Sequence, residues 1–255
     1  MTYLEFHFVF TIPQTILFFL LGKYWKPSKK FSMIFKGQIL LMLLAIVWTT
    51  PWDNYLLYKD VWWYGQDRVI GTIGYVPYEE YFFFIIQCFF TGGFFYLVQH
   101  FVGYKNLNKE DEASKTHLIL PLVSAILFAL GVFCLTTTSG FYLGLILAWV
   151  GPVFLVQQYF GSDILWKNRK LYFGTLLTSS IYLCFADAYA IWDGIWKISE
   201  TYTIGVNFGV LPLEEALFFF CTNIMLLQGL ILFSHPQMRA RVTHLPVFNK
   251  LVGKK

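Results

Sequence analysis

Charged residues are scarce in this sequence. Asp, Glu, Lys and Arg make up only 13% of the 255 residues, whereas 57% of the residues are hydrophobic. Soluble domains carry about a quarter charged residues, so a soluble globular fold is excluded. The apolar runs are long enough to cross a bilayer, which takes about 20 residues each. The composition therefore indicates an integral membrane protein with several spans.

Signatures of cofactor and metal chemistry are also missing. The four cysteines lie in separate apolar segments without a CxxC pair, and the five histidines are scattered near the ends of these segments. Packing as small apolar residues accounts for the cysteines. No G-x-G-x-x-G motif predicts a dinucleotide site, and no basic patch with interleaved aromatic residues predicts a nucleic acid partner. The last apolar segment has no lysine for a retinal Schiff base.

Seven membrane spans are predicted from the apolar runs. Sixteen of the nineteen Lys and Arg residues follow spans one, three, five and seven. Because positively charged loops remain in the cytoplasm, the N-terminus is predicted outside and the C-terminus inside. The N-terminal segment lacks a basic region and a cleavage site, so we interpret it as a span. The spans cover about residues 3–21, 33–50, 76–99, 118–138, 141–160, 171–190 and 209–234.

A motif of proline followed by two glutamates occurs twice. The first copy is Val76-Pro77-Tyr78-Glu79-Glu80 and the second is Leu211-Pro212-Leu213-Glu214-Glu215, and each runs into several phenylalanines. A proline suits the first turn of a helix, so each glutamate pair is predicted to open an apolar helix. Trp52-Asp53 and Trp192-Asp193 form a second matched pair, at a similar separation along the chain.

These matches predict an internal duplication. Spans one to three and five to seven are predicted to be copies, with span four as a linker that gives both copies one orientation. The predicted fold is an all-α bundle of seven transmembrane helices, arranged 3+1+3. Its parts are a first repeat over 1–102, a loop and linker helix over 103–139, a second repeat over 140–236 and a basic tail over 237–255.

The duplication brings acidic residues to one level of the membrane. The four glutamates of the motifs fall at the non-cytoplasmic ends of the spans, together with Asp53, Asp187 and Asp193. A helix N-terminus favours one carboxylate, which does not explain two on each helix. For Asp53 and Asp193 a solvated interfacial position is an equally good interpretation. Carboxyl groups are costly in a membrane, so the glutamate pairs are interpreted as functional.

The chemistry that these residues allow is acid–base catalysis beside aromatic rings. Burial of a glutamate in an apolar bundle favours its neutral acid form, whereas the helix dipole at a helix N-terminus favours its anion. A protonated glutamate is a general acid, and an ionised neighbour is a base. Aromatic faces stabilise a cation by about 0.5–2 kcal/mol each, which suits a carbocation reaction on a hydrocarbon. Helical spacing places Glu80 and Glu215 on the more polar faces of their helices, with Gln87 and Thr222.

At these motifs the chain resembles the integral-membrane lycopene cyclases of the heterodimeric bacterial and fused archaeal or fungal type. The heterodimeric members carry one three-span unit per subunit, so this chain looks like both units fused. The matching segments are Pro51-Trp52-Asp53-Asn54-Tyr55, Trp62-Trp63-Tyr64, both Pro-x-Glu-Glu segments, Trp192-Asp193 and Thr222-Asn223.

The resemblance implies a reaction without net redox change. Because the sequence has no nucleotide-binding signature and no metal-ligand cluster, we predict that the reaction needs no cofactor. A proton adds to the terminal double bond of lycopene, the cation closes a six-membered ring, and a proton leaves to give a β-ionone end. The first glutamate of each motif varies less in this family, which points to Glu79 and Glu214, whereas helical spacing favours Glu80 and Glu215. The candidate catalytic residues are Glu79, Glu80, Glu214, Glu215, Asp53 and Asp193, and no metal ligands are predicted. The candidate substrate- and cation-lining residues are Trp52, Trp62, Trp63, Phe83, Phe84, Gln87, Phe218, Phe219, Thr222 and Asn223.

The resemblance also implies the surroundings of the protein. It predicts a multi-pass protein of the cell membrane whose partners are lycopene and other linear carotenoids, membrane lipid and other carotenoid-biosynthesis enzymes. Two alternatives remain open at this point. One is a carotenoid end-group hydratase, in which water captures the same cation. The other is a transporter, since parallel 3+1+3 repeats also occur among carriers.

Overall fold

The computed structural model describes residues 1–24, 30–107 and 116–243, and most of these are helical. The first helical segment joins α1 (Tyr3–Phe6), a π-helical stretch (His7–Thr11) and α2 (Ile12–Tyr24). After it come α3 (Lys30–Tyr58), α4 (Tyr78–Val102), a 3-10 turn (Thr116–Leu118) and α5 (Ile119–Cys134). The remaining helices are α6 (Phe141–Lys167), α7 (Arg169–Asp193), α8 (Leu213–Ser234) and α9 (Pro236–Thr243).

The helices confirm an integral membrane protein built mainly from α-helix. Five helical stretches are long and apolar enough to cross a bilayer, namely Phe35–Tyr58, Tyr78–Val102, Phe141–Lys167, Arg169–Asp193 and Leu213–Ser234. The apolar helix α5 has 16 residues, fewer than the approximately 20 that a perpendicular span needs. Residues 25–29 of the first predicted basic loop, and 244–255 of the predicted basic tail, lie outside the described residues.

Short strands, which the sequence did not predict, cover one end of the bundle. Strand β1 (Trp62–Tyr64) pairs antiparallel with β4 (Trp196–Ile198), so the two halves of the chain share a sheet. Within the first half β2 (Thr72–Ile73) and β3 (Val76–Pro77) form a hairpin, and within the second half β5 (Asn207–Phe208) and β6 (Leu211–Pro212) form its counterpart.

Each hairpin leads directly into a helix that carries a glutamate pair. Pro77 caps α4 with φ −64° and ψ 155°, and Pro212 caps α8 with φ −62° and ψ 149°. A proline has no N–H to leave unpaired, and its φ is fixed near this value, so it suits the junction. Gly74 and Gly209 turn the two hairpins with φ +66° and +67°, where a side chain would be strained. The two motifs therefore fold alike.

Two helices continue well beyond the ends of the predicted spans. Span two was expected to end at residue 50, but α3 continues through Pro51 to Tyr58 and carries Asp53 inside the helix. Proline within a helix is tolerated in membranes, because neighbouring groups satisfy the freed backbone carbonyl. Span five was expected to end at residue 160. The structure instead shows a kink at Gly161, after which α6 continues to Lys167.

The two halves pack together at the centre of the bundle. Helix α8 packs against α3, α6 and α7, and α4 packs against α2, α3 and α7. A buried polar network joins the halves: Gln87 Nε2 donates to Thr222 Oγ1 at 2.9 Å, and Thr91 Oγ1 donates to Asn223 Oδ1 at 2.7 Å. Asn223 Nδ2 in turn donates to Ser180 Oγ at 3.0 Å. This network fixes α4, α7 and α8 relative to one another just below the glutamate pairs.

Candidate active site

Acidic side chains from both halves line one buried cavity. Glu80 comes from α4, Asp187 from α7 and Glu215 from α8. The cavity is narrow, with a volume of about 20 Å³, which is room for roughly one water molecule. The other side chains that line it are mostly aromatic: Tyr3, Phe6, Trp52, Trp62, Phe83, Tyr142, Leu183, Trp196, Phe218 and Phe219. We call this space the carboxyl cavity.

The second glutamate of each motif faces the carboxyl cavity and accepts hydrogen bonds from tyrosine. Glu80 Oε2 accepts from the Tyr3 hydroxyl at 2.6 Å and from the Tyr64 hydroxyl at 2.9 Å. Glu215 Oε1 accepts from the Tyr142 hydroxyl at 2.7 Å. Burial and the neighbouring Glu80 carboxylate raise the pKa of Tyr64 well above its usual value, so its hydroxyl keeps the proton that it donates. Both glutamates are therefore held by tyrosine donors.

The first glutamate of each motif turns towards the backbone instead. Glu79 Oε1 accepts from the Ile70 N–H at 2.9 Å, and Glu214 Oε1 accepts from the Ile204 N–H at 2.7 Å. Successive residues of an α-helix point about 100° apart, so the two glutamates of a pair cannot face the same way. Glu79 and Glu214 fasten the loop before each hairpin to the start of the helix. Neither lines the carboxyl cavity.

Two buried aspartates accompany the glutamates. Asp53 and Asp187 are each 1% exposed. Asp187 Oδ1 accepts from Trp196 Nε1 at 2.8 Å, and its Oδ2 has no partner among the described residues. Asp53 Oδ2 and Trp62 Nε1 likewise lack partners there, and Asp53 is close enough to Glu80 and Glu215 for their charges to act on it.

These aspartates correct the predicted alignment of the repeats. Asp53 and Asp187 are separated along the chain by the same number of residues as Trp62 and Trp196. The two glutamate pairs are one residue further apart than this. Asp187 is therefore the counterpart of Asp53 in the second half. Asp193, which the Trp-Asp pattern had matched to Asp53, is not.

Asp193 and Trp63 lie outside the carboxyl cavity. Arg68 Nη1 donates to Asp193 Oδ2 at 3.2 Å, and the amino group of Met1 forms a second ion pair with the same carboxylate. This pair of contacts ties the loop after β1 to the end of α7. Trp63 is 42% exposed, because side chains alternate along a strand and its neighbours on β1 face inward.

The other predicted lining residues lie in the carboxyl cavity, in a second cavity and in the polar network between the halves. Trp52, Trp62, Phe83, Phe218 and Phe219 line the carboxyl cavity. Phe84, Gln87 and Thr222 line a second, larger cavity, and Asn223 belongs to the polar network between the halves. Sequence reasoning missed Tyr3, Phe6, Tyr142 and Trp196. The tyrosines carried a weak signal, since each lies in the first turn of the first long helical segment of its half.

A stack of aromatic rings forms one side of the carboxyl cavity. The ring centroids of Trp52 and Phe218 are 5.7 Å apart with an interplanar angle of 2°, and those of Trp52 and Trp149 are 4.3 Å apart at 14°. Trp52 Nε1 donates to the Leu145 carbonyl at 3.1 Å, which fixes the orientation of the indole. An aromatic face or edge of this stack that borders the cavity can stabilise a cation lying against it.

The acidic cluster does not have the arrangement of a metal site. Within the described ranges, no three His, Cys, Asp or Glu side chains are placed to hold one ion. What the cavity offers is a set of proton donors and acceptors next to aromatic faces. Such an arrangement can deliver a proton to an apolar molecule and remove one from it.

Comparisons with known proteins agree with this chemistry. The lycopene cyclase family model matches residues 2–98 and 137–235. The chain is 37% identical over 198 residues to a lycopene beta-cyclase of Halobacterium salinarum, an alignment that covers 78% of this chain and 82% of that protein. It is also 31% identical over 244 residues to a bifunctional lycopene cyclase/phytoene synthase of Sporisorium reilianum, covering 91% of this chain and 35% of that protein.

A similar fungal relative is the bifunctional lycopene cyclase/phytoene synthase of Blakeslea trispora, which is 33% identical over 233 residues, with 89% of this chain and 38% of that protein covered. No solved structure matches the chain significantly. The matched residues include Glu80, Asp187 and Glu215, the three acidic side chains that line the carboxyl cavity. The resemblance drawn from the motifs is confirmed, and the chain belongs to the lycopene cyclase family.

Proposed function

We propose that this protein is a lycopene beta-cyclase, which closes the linear ends of lycopene into β-ionone rings. The observation that carries the proposal is the convergence of Glu80 and Glu215, one from each half, on a single cavity that also holds Asp187. Because the relatives are named as lycopene cyclases, the proposed substrate is lycopene, a linear carotenoid. A hydrocarbon of this kind has no polar group to activate, so the chemistry must begin with a strong proton donor beside the double bond.

The reaction is an isomerisation in which one proton is added and one is lost. A carboxyl O–H bond breaks as its proton adds to the terminal C=C bond, which leaves a tertiary cation on the neighbouring carbon. The next suitable double bond attacks this cation and forms the ring C–C bond. A ring C–H bond then breaks, its electrons form the new double bond, and its proton returns to a carboxylate. No electrons are exchanged, so neither flavin nor nicotinamide is required.

Glu80 and Glu215 are the proposed proton donors. Each already accepts hydrogen bonds from tyrosine hydroxyls, at 2.6 and 2.9 Å for Glu80 and at 2.7 Å for Glu215. Hydrogen bonds to a carboxylate stabilise the anion that remains when the proton has left. Like charges in one dry cavity repel, which favours protonation of part of the acidic set. The cluster is thus suited to hold one transferable proton.

Asp187 is the proposed proton acceptor, with Asp53 as its counterpart from the first half. Asp187 Oδ2 is buried, has no partner among the described residues and belongs to a side chain that lines the cavity. Its other oxygen is fixed by the Trp196 indole at 2.8 Å, which orients the carboxylate. Glu79 and Glu214 act as positioning residues, because their carboxylates hold the loops that precede the helices.

The proposed membrane arrangement has seven spans in a 3+1+3 parallel repeat, with the N-terminus outside and the C-terminus in the cytoplasm. The distribution of Lys and Arg supports the orientation. Two matches of one family model, at 2–98 and 137–235, support the duplication and the proposed units 1–102 and 140–236. The carboxyl cavity would then lie near the non-cytoplasmic surface of a cell membrane.

The direct test is expression of the chain in a host that accumulates lycopene, followed by chromatography of the pigments. Beta-carotene or the monocyclic gamma-carotene is expected as the product. A hydroxylated acyclic product would identify a hydratase, and unchanged lycopene would refute both enzymatic functions. Protein from the same cells, detected in the membrane fraction, is the control for expression.

A further inference from the structure

A second cavity lies deeper in the bundle than the carboxyl cavity. Its volume is about 280 Å³, many times that of the carboxyl cavity. It lies between α3, α4, α6 and α8, and we call it the apolar groove. Side chains representative of its four walls are Ala45 and Trp48 of α3, Phe84 and Cys88 of α4, Val153 of α6, and Met225 of α8.

The apolar groove extends from the carboxyl cavity towards the middle of the membrane. On α4 the groove begins at Phe84, one turn beyond Glu80, and on α8 it reaches Leu226, three turns beyond Glu215. With a rise of about 1.5 Å per residue, three turns correspond to about 16 Å along the helix. On α3 the groove side chains precede Asp53, and this helix runs in the opposite direction to α4. These three walls therefore run away from the carboxyl groups.

Phe218 is the side chain shared by the two cavities. Its ring stacks on Trp52, which lines the carboxyl cavity, and lies 6.4 Å from the ring of Trp149, which lines the groove. Phe218 therefore lies between the two spaces. Because the carboxyl cavity has room for about one water molecule, it must widen before a ring-forming end can enter it.

The groove opens on the outer surface of α3. Three of its side chains are exposed there: Leu44 by 55%, Val47 by 74% and Trp48 by 47%. All three lie within Phe35–Tyr58, one of the stretches that can cross a bilayer. An exposed surface at that depth faces acyl chains. A molecule dissolved in the membrane can therefore reach the groove without passing through water.

The polar atoms in the groove wall are mostly satisfied by the protein itself. Gln87 Nε2 donates to Thr222 Oγ1 at 2.9 Å, and the Thr222 hydroxyl donates to the Phe218 carbonyl, also at 2.9 Å. Gln157 Nε2 donates to the Met225 carbonyl at 3.0 Å, and only its Oε1 is without a partner among the described residues. With so little hydrogen-bonding capacity left, the groove favours an apolar occupant.

We propose that the apolar groove binds the linear polyene chain of the substrate while one end of the same molecule reacts in the carboxyl cavity. This inference rests on the proposed function and adds the site that holds the unreacting part. The occupant must be apolar, long and narrow, must arrive from the membrane and must continue past Phe218 to the carboxyl groups. A polyene with a reactive end meets all of these conditions. A lipid acyl chain does not react at the carboxyl groups and serves as the competitor.

The test fills the groove from two walls and compares two substrates. Val153→Trp and Ala45→Trp place an indole in the groove, and Val156→Trp is the matched control, since Val156 is 59% exposed on the same helix as Val153 and does not line the groove. The full chain is purified in detergent, and kcat/KM is measured with lycopene and with a short acyclic isoprenoid polyene that carries the same end group. Elution as a single species establishes that each variant is folded.

A fall of about tenfold or more in kcat/KM is expected for lycopene in both groove variants, with little change for the short polyene. Val156→Trp should behave as the unmodified protein with both substrates. In a Glu80→Gln background, in which turnover is expected to be about 100-fold slower, the groove variants should also retain less lycopene through purification. This binding measurement is independent of catalysis.

The outcomes separate the groove from the proposed function. If folded groove variants cyclise and retain lycopene as the unmodified protein does, the groove is not the polyene site. An equal loss of activity on both substrates would also overturn the inference, because the groove contacts the chain and not the end. If the unmodified protein cyclises neither substrate but retains lycopene, and the groove variants retain less, the proposed function is refuted while the groove remains the site that binds the polyene chain.

Discussion

The hydroxyl of Tyr3 donates to Glu80 Oε2 at 2.6 Å, across 77 positions of the chain. Tyr142 donates to Glu215 at 2.7 Å in the same way. Each tyrosine lies at the beginning of the first long helical segment in its half. Each glutamate lies in the first turn of the third long helix of the same half. This repeated contact sets the second glutamate of each motif apart from the first, and it gives the two glutamates different expected roles.

Glu80→Gln and Glu215→Gln are each expected to lower turnover of lycopene by about 100-fold or more, the usual worth of a general acid. The amide matches the carboxyl in size and still accepts from tyrosine, but it has no proton of suitable acidity to transfer. Product formation by purified variants in detergent measures the effect. Full activity in both would remove these glutamates from the proton-transfer step.

Glu79 and Glu214 should respond differently to the same change. The amide oxygen of glutamine can still accept the Ile70 or Ile204 N–H, so Glu79→Gln and Glu214→Gln are expected to retain activity within a few-fold. Alanine leaves the part-buried N–H without its acceptor, which costs on the order of 1 kcal/mol. Thermal unfolding of the detergent-solubilised variants shows this as a lower Tm for alanine than for glutamine. A turnover loss in Glu79→Gln as deep as that in Glu80→Gln would contradict the positioning role.

Asp187 and Asp193 provide a matched pair on one helix. Asp187→Asn removes the proposed proton acceptor and is expected to slow cyclisation by about 100-fold. Asp193→Asn disturbs an ion pair with Arg68 that solvent screens, and it should leave turnover almost unchanged. The turnover rates of the two variants, measured side by side, show whether Asp187 is the proton acceptor. Equal losses in the two variants would mean that Asp187 acts no differently from a surface residue.

A single carboxyl cavity lined by both halves implies that the two ends of lycopene react one after the other. We expect the monocyclic product to accumulate before the bicyclic one when enzyme is limiting. Samples taken over a time course and separated by chromatography show the order. Bicyclic product that forms without a lag and without a monocyclic intermediate would argue for two sites.

Because cyclisation exchanges no electrons, flavin-free protein is expected to convert lycopene unaided. The measurement compares turnover by protein stripped of flavin, with and without added reduced flavin, in the presence and absence of oxygen. Equal rates are expected under all four conditions. Activity that depends on reduced flavin would contradict a mechanism carried by carboxyl and aromatic groups alone.

Much of the fold could be predicted, because local patterns determine it. Apolar length indicated membrane helices, and the duplicated Pro-x-Glu-Glu motif placed a glutamate pair at the start of both α4 and α8. The pairing of β1 with β4 could not be predicted, since these short strands lie far apart in the chain and pair across its two halves. Helical spacing favoured Glu80 and Glu215 as the interior pair, and these two do line the carboxyl cavity.

The alignment of Asp53 with Asp193 shows where the sequence pattern was misleading. A shared Trp-Asp dipeptide suggested the match, but Trp52 stacks in the cavity wall and Trp192 is 71% exposed. Identical dipeptides can thus occupy unrelated environments when helices differ in length at their ends. The constant offset from Trp62 to Trp196 and from Asp53 to Asp187 was present in the sequence, and only the three-dimensional contacts show its significance.

The sheet formed by β1 and β4 has a consequence for how such a protein could be divided. Either half by itself would expose an unpaired strand edge, and such an edge readily forms hydrogen bonds with another strand. It would also hold only part of the acidic set, with Glu80 on one piece and Glu215 on the other. Two genes that encode the halves separately would therefore produce chains that are inert alone and complementary in shape. The strand edge would serve as their point of recognition, and catalysis would begin only with assembly.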